Sequence, residues 1–231
     1  MSNPKLSYDD ITLVPEVVSD ICSRSQCNPY DEYQYLPIFA APMSSVVSFE
    51  NVKNFNDARI RVVVPRSYPL EERLKLTEGT DTGANFVAFS LNEARDCFCK
   101  KMRIPPSTLT KGFPIKICID LANGHMKCLL ELVKCIKSLY GDKILIMTGN
   151  IANPETYRLY EEAGVDYVRV SIGTGNVCST SSNTAIHYPV FSLLEEVYKV
   201  KKEIKESAKL LPMVVFTDSG ISRKPLSMLT M

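Results

Sequence analysis

Short runs of apolar, often β-branched residues recur along the chain, each followed by a polar stretch or by helical spacing. Strands are expected near Pro37–Met43, Arg59–Val64, Asn85–Leu91, Ile115–Leu121, Lys143–Thr148, Tyr167–Ile172 and Met213–Thr217. Three segments between them carry a helical period. Met126–Tyr140 spaces Leu129, Leu130, Leu132, Val133, Ile136 and Leu139 along one stripe and meets a natural stop at Gly141. Pro154–Ala163 opens with proline in the first turn, where its missing N–H costs nothing, and ends before Gly164. Val190–Leu210 is long and amphipathic, with lysines on the face that an outer-layer helix turns to water. Continuous apolar strands alternating with helices indicate a parallel sheet, closed or open. No internal repeat, low-complexity tract or linker divides the chain, so residues 1–231 read as one α/β domain.

Composition narrows the class. A chain of 231 residues with 45% hydrophobic residues is long enough to bury a sizeable core. The net charge of +1, with both signs interspersed, provides no field for nucleic acid or a membrane surface. Apolar runs are short and interrupted by proline, lysine or aspartate, so no membrane-spanning helix is expected, and the first residues lack the apolar core of a secretory signal. Eight cysteines without a Cys-x-x-Cys pair, and only two histidines, suggest free thiols in a reducing, cytoplasmic setting. Cys128 and Cys135, seven residues apart on one helical face, read as packing residues, and Cys97 and Cys99 stand too close together for a Cys-x-x-Cys clip.

The stretch with the most chemistry is Val170-Ser171-Ile172-Gly173-Thr174-Gly175-Asn176-Val177-Cys178-Ser179-Thr180. Glycines allow close approach of backbone to a ligand, and a run of turned N–H groups forms an anion-binding concavity. A cysteine at the end of such a loop is placed for covalent chemistry on a bound phosphate ester. Taken alone, the loop reads better as a strand-to-helix turn with a small buried cysteine.

Its wider context resembles the IMP dehydrogenase/GMP reductase family, whose pattern here is Gly-x-Gly-Ser-x-Cys-Thr-Thr. Further segments follow the family's order: Leu6-Ser7-Tyr8-Asp9-Asp10-Ile11-Thr12-Leu13-Val14-Pro15, Ser23-Arg24-Ser25, Ala41-Pro42-Met43 and Ile119-Asp120-Leu121-Ala122-Asn123-Gly124-His125. After these come Met147-Thr148-Gly149-Asn150, Tyr188-Pro189 and Asp218-Ser219-Gly220. The resemblance implies a (β/α)8 TIM barrel whose site is built at the C-terminal ends of the strands. Asp120 and Asn123 follow the fourth expected strand, Gly149 and Asn150 the fifth, Cys178 the sixth and Asp218 the seventh. About seven strands are counted, so the barrel is expected to be incomplete, without the eighth strand, the second phosphate loop or the flap.

The resemblance also assigns roles. Cys178 would attack C2 of a purine nucleotide, and Thr180 would assist proton transfer to the leaving group. Asp218 would receive both ribose hydroxyls, a sound role for a carboxylate facing a vicinal diol. Gly175, Asn176, Ser219 and Gly220 would contact the phosphate, and Met43 would stack near the base. Asn176 replaces the family's serine, Ser219 the first of two glycines, and Ser44-Ser45 the usual Asp-Thr after Met43. Asp120, Asn123, Gly149 and Asn150 would face the nicotinamide and the purine. Backbone carbonyls of Gly173, Gly175 and Cys178 would hold a monovalent cation, K+. Without the resemblance, Asp218, Asn123-Gly124 and Gly149-Asn150 read as ordinary turn residues. His125 and His187 pair with no nucleophile in a recognisable motif.

Within the family, Asn123 stands where dehydrogenases usually carry histidine, and residues 65–84 leave no room for a CBS insertion. Both features point to GMP reductase: NADPH-dependent reductive deamination of GMP to IMP and ammonia. An IMP dehydrogenase-type enzyme using NAD, and an inactive nucleotide-binding or subunit-interacting member, are the alternatives. The implied partners are a purine nucleoside monophosphate and further copies of the chain, since the family forms tetramers.

Overall fold

The computed structural model describes residues 4–15, 17–31, 33–78, 85–100, 114–172, 185–207 and 214–217. Seven strands form a single sheet in sequence order, each parallel to the next: β1 Phe39–Ala40, β2 Arg61–Val64, β3 Phe86–Phe89, β4 Ile115–Ile119, β5 Ile144–Ile151, β6 Tyr167–Val170 and β7 Val214–Thr217. The intervening helices are α1 Val52–Asp57, α2 Leu70–Glu78, α3 Leu91–Ala94, α4 Lys127–Tyr140, α5 Pro154–Glu162 and α6 Val190–Ser207. A π-helical turn, Arg95–Cys99, extends α3. Parallel neighbours joined through helices make the βα alternation expected of the sequence.

The helices form where stripes and caps coincide. In α4, Leu129, Leu132, Val133 and Ile136 are buried, and Gly141 takes a positive φ of 54° where the helix ends. Leu139, at the margin of the stripe, remains exposed. At the start of α5 the Asn153 side chain accepts the Glu155 N–H at 2.9 Å, and Pro154 follows in the first turn. These helices cover one face of the sheet, where Val87, Phe89, Ile117, Ile119, Ile144, Ile146, Val168 and Val170 are buried with Leu193 and Val197 of α6.

The opposite face closes on itself. Phe39, Val63, Phe86, Ala88, Cys118, Met147 and Tyr167 form a separate inner cluster. The Phe39 and Tyr167 rings, on β1 and β6, lie 6.4 Å apart, and the Phe86 ring of β3 meets them at 5.7 and 5.1 Å in edge-to-face contacts. Five strand steps of a flat sheet would separate β1 from β6 by about 24 Å. The sheet is therefore strongly curled, as a partial (β/α)8 barrel requires.

Charges fill the N-terminal end of this interior. Arg61 forms an ion pair with Asp31 at 2.5 Å and lies over the rings of Tyr35 and Phe39. Burial pushes the Asp31 carboxyl up, but the Arg61 guanidinium and the N–H groups of Tyr35 and Tyr33 together hold it below its ordinary value. The Lys116 ammonium lies 5.9 Å from the Phe86 ring centroid, and burial, aided by the Arg61 charge, pushes it down to about 8.

One expectation is corrected here. Cys135 is not merely a packing residue of α4: it is joined in a disulfide to Cys99 at the end of the π-helical turn, so the thiols are not all free. Outside that disulfide, Cys97 and Cys118 are buried, Cys128 is partly exposed, and Cys22 and Cys27 are exposed.

The Lys116 environment makes a signed prediction. Its proton is bound more weakly in the folded chain than in the unfolded one, so stability rises with pH between about 8 and the ordinary lysine value of 10.5. Below that window the cost of the buried cation is fully present. Lys116→Met is expected to stabilise the protein at pH 7 by on the order of 1 kcal/mol, after discounting for residual exposure. The gain should shrink as pH rises through 8 to 10, read from chemical unfolding midpoints of both proteins.

Candidate functional site at the C-terminal edge of the sheet

The loops after β4 and β5 are built as one unit. Asp120 directly follows β4, and its N–H still donates to the Phe89 carbonyl of β3 at 2.9 Å. Its carboxylate Oδ1 accepts from Arg169 Nη2 at 3.0 Å. Arg66 Nε stands 3.8 Å from Oδ2, close enough to attract but too far to hydrogen-bond. Arg169 projects from β6 with only 10% of its side chain exposed, and also donates to the Leu121 carbonyl at 3.4 Å. A charge this buried requires a carboxylate partner, and Asp120 supplies it.

Gly149 is what lets Arg169 sit there. The two residues are opposite each other in the ladder, and a Cβ on Gly149 would collide with the Arg169 backbone. Gly149 also holds φ at +137°, a region that side chains strongly disfavour. The register between β5 and β6 shifts between Gly149 and Ile151, leaving Asn150 in a bulge, and the Gly149–Asn150 peptide is cis. Asn150 then connects both loops: its N–H donates to the Leu121 carbonyl at 3.3 Å, and its carbonyl accepts the Gly124 N–H at 2.9 Å. A Cβ on Gly124 would come within 2.6 Å of that carbonyl oxygen.

Asn123 Oδ1 accepts the His125 N–H at 2.9 Å, an Asx turn that fixes the loop before α4. Its amide nitrogen makes no hydrogen bond among the described residues, and the residue is exposed. His125 is a strut and not a proton shuttle. Its Nε2 accepts the Ala152 N–H at 3.0 Å, which assigns the other ring proton to Nδ1, donated to Thr156 Oγ1 at 3.0 Å. Desolvation of the ring pushes its pKa below the ordinary value, in the same direction as this hydrogen-bond pattern.

Met43 lies beyond β1 on the same edge of the sheet, 54% exposed, with its carbonyl accepting the N–H groups of Val46 and Val47. Four of the five residues described among those expected at the site, Asp120, Asn123, Gly149 and Asn150, are thus brought together, and Met43 is on the edge they share. Gly173, Gly175, Asn176, Cys178, Thr180, Asp218, Ser219 and Gly220 lie outside the described residues. The strand ends that lead to them are in place: Ser171 follows β6, buried, with φ of +128° and its N–H on the Ile151 carbonyl at 2.8 Å, and β7 ends at Thr217.

Sequence reading passed over Arg169 and Arg66. The signal for Arg169 was available: an arginine within the apolar run Tyr-Val-Arg-Val, at an inward-facing position, demands a buried partner. Arg66 carried no comparable signal, being one polar residue in a turn.

A family model described as the IMP dehydrogenase / GMP reductase domain matches residues 108–225. A GMP reductase of Vibrio campbellii is 31% identical over 202 residues, covering 83% of this chain and 57% of the relative. A GMP reductase of Vibrio vulnificus is 29% identical over the same shares, and one of Buchnera aphidicola 30% identical over 83% of this chain and 56% of its own length. The chain spans a little over half the length of these curated relatives.

Two outcomes follow from this geometry. Gly149→Ala should destabilise the protein by about 2 kcal/mol or more, through the forced φ and the collision with Arg169, as measured by urea unfolding. The lowered His125 pKa means that the unfolded chain binds the extra proton first, so stability is lost as pH falls below about 6.5. His125→Gln should flatten the stability difference between pH 7 and pH 5, read as melting temperatures across that range; an unchanged slope would remove His125 from the account.

Proposed function

The chain belongs to the IMP dehydrogenase / GMP reductase family, and on that premise we propose that it carries a GMP reductase-type site, converting GMP to IMP and ammonia with NADPH. The observation that carries this reading is the interlock of the β4 and β5 loops, which presents Asp120, Asn123, Gly149 and Asn150 on one edge of the curled sheet. It is supported by the GMP reductase name of relatives matched over 83% of the chain, and by Asn123, which stands where the family's dehydrogenases usually carry histidine.

The residues present suit a nicotinamide nucleotide. Among the described residues Asp120 Oδ2 has only Arg66 Nε nearby, at 3.8 Å, and can accept from a ligand amide or hydroxyl, and the Asn123 amide nitrogen can donate. Arg66, half exposed beside them, adds a positive charge suited to a phosphate. When bound, the reduced nicotinamide supplies a hydride. Asp120, held by Arg169, would orient its acceptor oxygen toward the ligand without moving, because the arginine fixes the carboxylate in advance.

Nucleotide binding would fall to Asp218 for the ribose hydroxyls, to Gly175, Asn176, Ser219 and Gly220 for the phosphate, and to Met43 against the base. The Cys178 thiolate would add to C2 of the purine, and the C2–N bond would break with ammonia leaving on a proton passed by Thr180. C2 would then take up hydride as the C2–S bond breaks, releasing IMP and regenerating the thiolate. Carbonyls of Gly173, Gly175 and Cys178 would hold K+. The same groups would serve in an assembly of several copies.

The test is NADPH oxidation by the purified 231-residue chain with GMP, beside Cys178→Ala and beside IMP with NAD. GMP-dependent oxidation that falls at least 1000-fold in the variant is expected, since no other group replaces the nucleophile. Turnover only with IMP and NAD, or activity retained by Cys178→Ala, would overturn the assignment.

A further inference from the structure

Cys99 and Cys135 meet on the outer layer, far in sequence and close in space. Cys99 ends the π-helical turn, Cys135 lies in α4, and their Cα atoms are 6.6 Å apart, inside the range a disulfide tolerates. Both are partly exposed, so a small reagent can reach them. Their elements do not need the sulfur bond to stay together. Phe98 packs edge-to-face on Tyr140 and on Phe89, at 5.9 and 5.4 Å, and the Tyr140 hydroxyl donates to the Phe98 carbonyl at 3.3 Å. Reduction would leave the two thiols side by side, ready to pair again.

Cys97, two residues before Cys99, is a poor competitor. Cys97 is buried and its thiol is pushed up by that burial, which suppresses the reactive thiolate. Cys118 is buried on the inner face of the sheet, and Cys22 and Cys27 belong to the N-terminal segment.

We propose that Cys99 and Cys135 form a reversible dithiol–disulfide couple, an oxidation site that closes a covalent ring around β4 and the Asp120–Asn123 loop. The bridge spans a sequence separation of 36 residues, and within it fall β4, residues 120–125 and the first half of α4. The chemistry is exchange with a low-molecular-weight disulfide. One protein thiolate attacks it, breaking its S–S bond and releasing one small thiol; the other protein thiolate attacks the mixed disulfide and releases the second. The two protein thiols lose two electrons and two protons, and the small disulfide gains them. The ring restricts the unfolded chain and the local opening of the loop that carries Asp120. This inference rests on the outer-layer packing and stands apart from the proposed reaction.

The experiment equilibrates the reduced full chain in glutathione buffers of increasing oxidised fraction, then alkylates, digests and maps the peptides by mass spectrometry. A peptide pair linked through Cys99 and Cys135 should grow with the oxidised fraction and vanish with dithiothreitol. The oxidised form should melt higher by on the order of 10 °C and exchange amide hydrogens more slowly over residues 115–125. Cys99→Ser and Cys135→Ser should each abolish the linked pair, and the wild-type map decides the question if either variant fails to fold. Full alkylation of both cysteines at every ratio, linkage of other cysteines in their place, or a bond that resists dithiothreitol in the folded chain would each overturn the proposal.

Discussion

The contact on which the structure turns is the meeting of Phe39, Phe86 and Tyr167 inside the sheet. Parallel strands joined by helices can form an open, doubly covered sheet or a barrel, and the local pattern of apolar residues is compatible with both. Rings from the first, third and sixth strands can lie 5.1 to 6.4 Å apart only if the sheet bends back on itself. That bend carries the chain ends of the strands onto a common rim. Asp120 after β4, Asn150 in β5 and Arg169 in β6 meet there through hydrogen bonds across neighbouring strands, and Met43 after β1 shares their edge.

On that rim the precision comes from backbone, and the charge from a small asymmetric set. Gly149 has no side chain because Arg169 occupies the space; Arg169 is tolerated in the interior because Asp120 neutralises it; Asp120 is aimed because Arg169 holds one of its oxygens. Removing any member leaves the next either clashing or unpaired, which is costly at such burial. Among the described residues, two arginines face one carboxylate, so this part of the rim carries an excess positive charge that suits an anionic ligand.

Much of this was legible in the chain, and the gaps have physical causes. All seven strands fall within the expected segments except that β5 runs on to Ile151, and six of the seven are shorter than expected. β1 shrinks to Phe39–Ala40 between Pro37 and Pro42, neither of which can donate to a ladder. Gly149-Asn150 carries turn residues, yet the bulge keeps both within β5, a register effect that depends on β6 and is invisible from β5 alone. The short helices α1 and α3 span too few turns to show a period. The pairing of Cys99 with Cys135 was not legible for a topological reason: it depends on α3, its π-helical extension and α4 being neighbours in the outer layer. For the site, residue types at the ends of β4 and β5 were readable, whereas the arginine that organises them had to be located by its partner across two strands.

Burial of charge alone does not distinguish the two ends of the curled interior, since both hold arginines and a carboxylate. Their valences do. At the N-terminal end, Asp31 accepts from Arg61 and from the N–H groups of Tyr33 and Tyr35, and Arg61 is further enclosed by aromatic rings. The carboxylate there has its hydrogen bonds, and it serves the fold. At the C-terminal end, among the described residues, Asp120 satisfies Arg169 through one oxygen and leaves the other 3.8 Å from a half-exposed Arg66. An oriented carboxylate with an oxygen still able to accept is a binding element, because a ligand donor can complete it without breaking an internal bond. Parallel barrels place stability at one end and chemistry at the other, and here that division is drawn by which carboxylate is already complete.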